Sequence, residues 1–490
     1  MVNFQTLSKS SAKPQWVFLV GVLLFVNIYS FSTLTTKPAY WYDEAINVEL
    51  ARNFADYGKL DLVVAPNTFS EQGATVGSTG YPVTVPLAGF FKLFGFGLAQ
   101  ARIYMLFWMS ALLVLFFFSA REIWGTFVAY GGTLLIASFA PFYGNGRSVM
   151  GEIPGFLFFL CAYFLFARKK WLWSGTLLGL AVVCKPSVYV FLIPAFALMM
   201  LLRNETWKKK LRELFVLGGG AVLALLPWCA IYVTELSHDG LFQAIFNHFK
   251  NPYAEAGRST IQNITANLPT LLSSTTLLYM WMLLAGVLVA LYFERTLLSK
   301  HKDLFILSSV YLPLVLLQYL KSFGYLRYFV AGEFLVFILF LVALPTLVRM
   351  FAGKVRLFGS ASALTIAVLV CMVAVQTVHL FAFSDLYASE KTQKTILYLY
   401  TNYPEGTIGV INVPQVASFI PAFQKYQYLS TYGLWNFGSP ILYLSGDRAP
   451  DTLVTASGEE GLLPEERQLL HARYTKDSTF TDGFSIYTKK

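Results

Sequence analysis

Apolar residues in this chain come in long blocks. Eleven of them, at about 16–34, 103–119, 126–143, 153–167, 171–184, 187–202, 214–234, 273–293, 303–320, 328–348 and 357–383, carry almost no charge. Most approach the roughly 20 residues a helix needs to cross bilayer hydrocarbon. Hydrocarbon offers no partner to backbone N–H and C=O groups, so each block is predicted to be a helix whatever its strand propensity. Between the first two blocks the pattern changes. Ile46, Leu50, Phe54 and Tyr57 recur at i, i+4, i+8 and i+11 after Asp43, with Asn47, Arg52, Asn53 and Asp56 between them and Gly58 as a stop. This spacing predicts a short amphipathic helix at the membrane interface. The stretch from Tyr81 to Phe96 is apolar but broken by Pro82, Pro86, Gly89 and Gly95, which suits a second interfacial helix better than a span. Beyond residue 383 the pattern is that of a soluble fold: Thr407 to Val413 and Thr452 to Ala456 read as strands, and Pro464 to Ala472 as a helix. The architecture is thus an all-α polytopic membrane protein with about eleven transmembrane helices over residues 1–383, followed by a small α/β domain over 384–490.

Charge orients this architecture. Arg121, then Arg168, Lys169 and Lys170, then Arg203, Lys208, Lys209, Lys210 and Arg212, then Arg295, Lys300 and Lys302, then Arg349, Lys354 and Arg356 all fall in alternate connections. They share a side with Lys9 and Lys13, and basic connections face the cytoplasm. The N-terminus is therefore expected inside, and the connections 35–102 and 235–272 and the C-terminal domain outside, in a bacterial cytoplasmic membrane. With 56% hydrophobic and 13% charged residues the chain is not a soluble protein. Its net charge of +10 sits at span ends, which sets aside nucleic acid as a partner. Cys161, Cys184, Cys229 and Cys371 lie inside apolar blocks without Cys-X-X-Cys or His spacing, so they read as packing residues and no metal site is predicted. No repeat of fixed period is visible, which disfavours a repeat-built transporter.

The first outer connection opens on Trp41-Tyr42-Asp43-Glu44-Ala45. One acid there could cap the helix, but a cap needs only one carboxylate. The functional reading is a general base at the outer surface, its pKa raised towards working pH by burial or by the neighbouring acid. Arg147 and Glu152 fall between the third and fourth blocks, with Pro154 fitting a helix that begins beside Glu152. Lys185 interrupts apolar sequence just before Pro186, where an isolated cation is expensive unless it has a function or a counter-ion. His248, Lys250 and Arg258 stand in the 235–272 connection, and Lys321, Arg327 and Tyr328 just before the tenth block. Acids ringed by cations at the outer surface suit an anionic ligand. A lipid phosphate fits, its charge met by the cations and its tail by apolar walls.

The order of these features resembles the GT-C superfamily of glycosyltransferases, in particular the branch of protein O-mannosyltransferases and aminoarabinose transferases that act on lipid A. The resemblance rests on Tyr42-Asp43-Glu44-Ala45 with Ala51-Arg52-Asn53 and Gly58, Tyr81-Pro82, Phe94-Gly95, Ala101-Arg102, Arg147 with Glu152-Ile153-Pro154, and Lys185-Pro186, over about the first 200 residues. It implies Asp43 as catalytic base with Glu44 and Glu152 as accompanying acids. It also implies Arg147, Lys185, Arg258, Arg327 and Tyr328 around the donor phosphate, and Tyr42, Tyr81 and His248 as acceptor or loop contacts. The expected activity is transfer of a hexosyl or pentosyl group from a polyprenyl-phosphate sugar to a hydroxyl of a glycan, lipid or protein, by single displacement with inversion. No cofactor is required by this chemistry, a divalent cation being the one addition left open. Gly80-Tyr81-Pro82-Val83 departs from the His or Lys followed by Pro-Pro that relatives often carry. The alternatives are a lipid-linked sugar flippase or transporter, which predicts polar residues near span midplanes, and an assembly factor whose outer domain binds partners.

Overall fold

Each apolar block is largely helical over its described residues in the computed structural model of the chain, which describes residues 13–236, 259–352, 361–386, 388–429, 444, 446, 449–459 and 461–490. Among the described residues seven helices are long and apolar enough to cross a membrane: Pro14–Phe31, Leu98–Ile123, Trp207–Ile231, Thr275–Phe293, Lys302–Lys321, Leu326–Met350 and Ala361–Ala382. A further apolar pair, Thr126–Ser138 and Ala140–Gly146, is bent by 67° where Pro141 enters the second piece, and counts as an eighth crossing only if the two pieces form one span. The stretch 152–201 forms helices at the three short blocks expected there, none of them long enough to count among the seven. Its helices, Glu152–Ala167, Trp171–Cys184 and Pro186–Leu201, are apolar but short, because the Arg168-Lys169-Lys170 turn and Lys185-Pro186 divide it. The helix Val330–Ala352 is hydrophobic all round, and Phe334 to Ile338 are buried without a gap, so it runs through protein rather than against lipid. Its entry turn, Leu326–Phe329, carries Arg327.

The segment after α1 (Lys13–Phe31) builds one end of the bundle from α2 (Tyr42–Tyr57), the short strands β1 (Val63–Ala65) and β2 (Thr68–Phe69), α3 (Gly73–Val76) and α4 (Tyr81–Phe94). α2 stops where expected, on Gly58 at φ 72°, a left-handed conformation that suits glycine. It does not lie at an interface with one wet face, however. Ala45, Val48, Ala51 and Ala55 are buried with α4 and with α5 (Leu98–Ile123), while Glu44, Asn47, Glu49 and Asn53 are buried as well. Each of these polar groups has a partner: Asn47 Nδ2 donates to Thr79 Oγ1 at 3.0 Å and to the Val149 carbonyl at 2.8 Å, and Asn53 Nδ2 to the Asp61 carbonyl at 2.7 Å.

What covers the remaining side of α2 is the C-terminal domain. β3 (Ile408–Ile411) lies between β4 (Lys425–Tyr428) and β5 (Thr452–Thr455), parallel to both. β6 (Tyr474–Lys476) and β7 (Ser485–Lys489) complete a five-stranded sheet in the order β4-β3-β5-β7-β6, with β7 antiparallel to its neighbours. The two strands expected from the sequence are β3 and β5, and the expected helix is Pro464–Arg473. Docking is polar and specific. Arg52 Nη1 donates to the Ser418 carbonyl at 2.9 Å, and the Tyr40 and Ser418 hydroxyls are 3.0 Å apart. The Asn67 amide donates to the Ala422 carbonyl at 2.9 Å, and Lys425 Nζ sits 2.7 Å from Glu49 Oε1 with both side chains buried.

Candidate functional site

Asp43 occupies the first turn of α2 but does not cap it, since the residue before the helix is Trp41 and no side chain takes the cap bond. Its Oδ2 accepts instead from Arg327 Nη2 at 2.6 Å. The guanidinium lies over the rings of Trp41 at 4.4 Å and Tyr325 at 4.6 Å, an aromatic clamp that holds a cation in a dry setting. Arg327 Nε is 3.8 Å from Glu152 Oε1, and Lys185 Nζ is 3.9 Å from the same oxygen. Two carboxylates and two cations from four distant segments thus form one balanced cluster. It is under-bonded: neither oxygen of Glu152 has a hydrogen-bond partner among the described residues, nor have Arg327 Nε and Nη1. Buried charged groups in that state carry a desolvation penalty that a polar ligand can relieve.

Local sequence explains how the segments meet. Pro186 ends α9 (Trp171–Cys184), and Lys185 before it leaves the helical region at φ −151°, ψ 87°, consistent with proline disfavouring the helical conformation of the residue before it. Glu152 is the first residue of α8 (Glu152–Ala167), where the helix dipole favours an anion. Gly151 lets α8 start against this turn, because a Cβ there would overlap the Cys184 carbonyl. Gly80 brings loop one to the same turn, where a Cβ would overlap the Val183 carbonyl. The Tyr189 hydroxyl donates to the Glu152 carbonyl and fixes that corner from the other side.

Electrostatics reverse one expectation. Burial pushes the Asp43 carboxyl up, but Arg327 and Lys185 outweigh it and hold the group below the usual aspartate range. The resting carboxylate is therefore a weaker base than the sequence suggested, and no neighbouring acid raises it.

Glu44, next to Asp43 in sequence, is turned away from this cluster. Its two oxygens accept from Arg102 Nε at 2.9 Å and Nη2 at 2.8 Å, and neither side chain is exposed. Arg102 Nη1 also donates to the Leu34 and Pro38 carbonyls, both at 2.9 Å, so the pair pins the chain entering loop one to α5. Glu44→Gln leaves Arg102 buried and partly unpaired. It is expected to destabilise the protein by about 3–5 kcal/mol. Scanning calorimetry in detergent should show the loss, while turnover per folded molecule is retained.

The other candidates divide. Arg147 faces α1, donating to Thr33 Oγ1 at 2.8 Å and lying over Tyr29 and Tyr143 at 5.9 and 6.0 Å, and no ion pair joins it to Asp43 or Glu152 among the described residues. The Tyr81 hydroxyl donates to the Ala224 carbonyl at 2.8 Å, a packing tie, and Tyr42 packs beside Ile46 and Leu50. Tyr328 is buried with its ring 5.8 Å from the Arg327 guanidinium. His248 and Arg258 lie outside the described residues. Sequence reasoning missed Glu333, Tyr325 and the aromatic role of Trp41. Beside Arg327 a cavity of about 340 Å³ is lined by Pro38, Trp41, Asn145, Leu277 and Glu333 among others. The signal for Glu333 was a lone acid at the start of a long apolar block.

A helix bundle of this order, with its acidic first loop roofed by a C-terminal sheet domain, is the GT-C fold. ArnT from Cupriavidus metallidurans, solved bound to undecaprenyl phosphate, superposes with a TM-score of 0.64 at 15% identity, over 97% of this chain and 98% of that one. Its apo state gives 0.61 at the same identity. The Archaeoglobus fulgidus oligosaccharyltransferase, solved with zinc and sulfate, gives 0.52 at 13% identity over 95% of this chain and 72% of that one. In sequence, the family described as dolichyl-phosphate-mannose-protein mannosyltransferase matches residues 84–232. Among curated proteins no sequence matches. The resemblance to GT-C glycosyltransferases thus holds for the fold of nearly the whole chain and for the family segment that carries Glu152 and Lys185.

Proposed function

We propose that this protein transfers a sugar from a polyprenyl-phosphate donor to an acceptor hydroxyl at the extracytoplasmic face of a bacterial cytoplasmic membrane. The observation that carries this reading is the under-bonded cluster of Asp43, Arg327, Glu152 and Lys185 at the loop-one end of the bundle. It sits in a fold shared with a protein solved with undecaprenyl phosphate. In the proposed step the acceptor oxygen attacks the anomeric carbon, its proton passes to Asp43, and the bond from that carbon to the phosphate oxygen breaks. Its electron pair leaves with the polyprenyl phosphate, and the anomeric configuration inverts. The phosphate is a competent leaving group whose charge Arg327 and Lys185 meet, so no general acid and no cofactor is invoked.

The resting Asp43–Arg327 pair becomes part of this mechanism. A donor phosphate on Arg327 would compete with Asp43 for the guanidinium, and a carboxylate that loses its cation regains basicity. The base would then be released as the donor arrives. Arg258, Arg147 and Tyr328 remain proposed phosphate neighbours, and His248, Tyr42 and Tyr81 proposed loop contacts.

The test is to incubate purified protein with defined polyprenyl-phosphate hexoses and pentoses, with glycan, lipid or peptide acceptors, and follow release of free polyprenyl phosphate. Acceptor-dependent release with one donor class is the expected result. Movement of intact donor across proteoliposomes without sugar loss would instead establish the flippase.

A further inference from the structure

The cavity beside Arg327 holds a group that the mechanism above does not use. Glu333 is 3% exposed in the helix Val330–Ala352, lines the cavity, and leaves Oε2 without a hydrogen-bond partner among the described residues. An acid in an apolar helix is expensive, and one with an unpaired oxygen is more so. The rest of the lining is mostly apolar, with a few polar groups set into it. Trp41 presents an aromatic surface, Leu277 and Val330 are aliphatic, Asn145 is polar, and Arg327 stands at the wall shared with Asp43.

A polyprenyl chain would gain nothing from Glu333, whose Oε2 finds no hydrogen-bond partner among the described residues. A sugar ring fits both features: its C–H faces pack on an aromatic ring, and its hydroxyls hydrogen-bond to a carboxyl group. The position fits too. A ring occupying this cavity has Arg327 at one side, where its phosphate would be held, and Asp43 next to that arginine, where the acceptor would be deprotonated.

We propose that this cavity is the donor-sugar pocket, and that Glu333 selects the sugar by accepting hydrogen bonds from its hydroxyls while Trp41 packs against the ring. The inference rests on the glycosyltransfer reading and names what that reading leaves open, the group that recognises the sugar.

The experiment compares two ligands on the full-length protein in detergent, a polyprenyl-phosphate sugar that it turns over and the same polyprenyl phosphate without sugar. Glu333→Gln preserves shape but weakens the acceptor. It is expected to reduce affinity for the sugar-bearing donor by roughly ten- to a hundredfold, as loss of a hydrogen bond that leaves a buried polar partner unsatisfied does, and to leave the bare lipid phosphate unaffected. Glu333→Asp, which keeps the carboxyl on a shorter arm, is expected to lose less, and thermal unfolding confirms that both variants are folded. A wild type that binds and turns over the donor while Glu333→Gln leaves both affinities unchanged overturns the pocket alone. Parallel loss for both ligands also overturns it, assigning the cavity to the lipid. A wild type that binds neither ligand removes the glycosyltransfer reading and this inference together.

Discussion

Asp43→Asn is expected to abolish sugar transfer while donor binding survives. The amide has the size of the carboxylate but cannot take a proton, and loss of a positioned general base lowers rates by about 10²–10⁴-fold. Removing the charge also strips Arg327 of its 2.6 Å partner. The unliganded variant should therefore melt at a lower temperature, and polyprenyl phosphate, now without a competing anion, should bind at least as tightly and restore the melting temperature by mass action. Turnover retained in the folded variant would sink the assignment. The pH dependence carries a second signature. In the free protein Arg327 and Lys185 hold Asp43 below its ordinary value of 3.8, so the carboxylate is ionised throughout the neutral range. The stability it adds is present above that ordinary value and is lost as pH falls through the lower folded one. The acid limb of kcat/KM reports the free protein and should lie below about pH 4, whereas that of kcat reports the complex. If phosphate takes over Arg327, the kcat limb should lie at higher pH. Coincident limbs would mean that the Asp43–Arg327 pair persists in the complex.

Much of this arrangement was legible because the membrane leaves a sequence few options. Apolar blocks had to be helices, and Gly58, Pro154 and Pro186 marked ends that the structure keeps. Asp43, Glu152, Lys185 and Arg327 stood out as charges at the ends of apolar segments, and charges are tolerated there only when they have something to meet. Which charge meets which was not legible. Glu44 finds Arg102 across 58 residues, and Asp43 finds Arg327 across 284, so the two adjacent acids are drawn to different partners that no local pattern reveals. The direction of the Asp43 pKa follows from that pairing, which the sequence does not show. Likewise α2 reads as a half-exposed helix because the domain that buries its polar side arrives more than 350 residues later in the chain. β4, with the sequence Lys-Tyr-Gln-Tyr, was hidden for a related reason. Its lysine and glutamine are buried against loop one, so it lacks both the alternation of a half-exposed strand and the aliphatic run of a core strand.

That buried lysine supplies the second large effect. Lys425 and Glu49 are 2.7 Å apart with side chains 2% and 0% exposed, and Glu49 Oε1 also accepts the Val63 amide at 3.3 Å. One ion pair therefore links the sheet domain to the helix that carries Asp43. Lys425→Met leaves a carboxylate stranded in a dry interface, which costs about 3–5 kcal/mol. The measurable outcome is a fall in melting temperature together with protease access to the junction between loop one and the sheet domain. Pairing it with Glu49→Gln removes the stranded charge, and replacing both members of a buried pair is often neutral or better. Recovery of both stability and turnover in the double variant would make the pair a structural tie, whereas recovered stability with lost turnover would give the domain contact a part in catalysis. The wild-type pair also has a pH signature. Burial pushes Lys425 down from 10.5 to about 8, against the opposing pull of Glu49. Between those values the unfolded chain binds the proton that the folded one gives up, so stability rises with pH across that window and is flat below it. Lys425→Met removes this rise, and a variant that kept it would show that some other group is responsible.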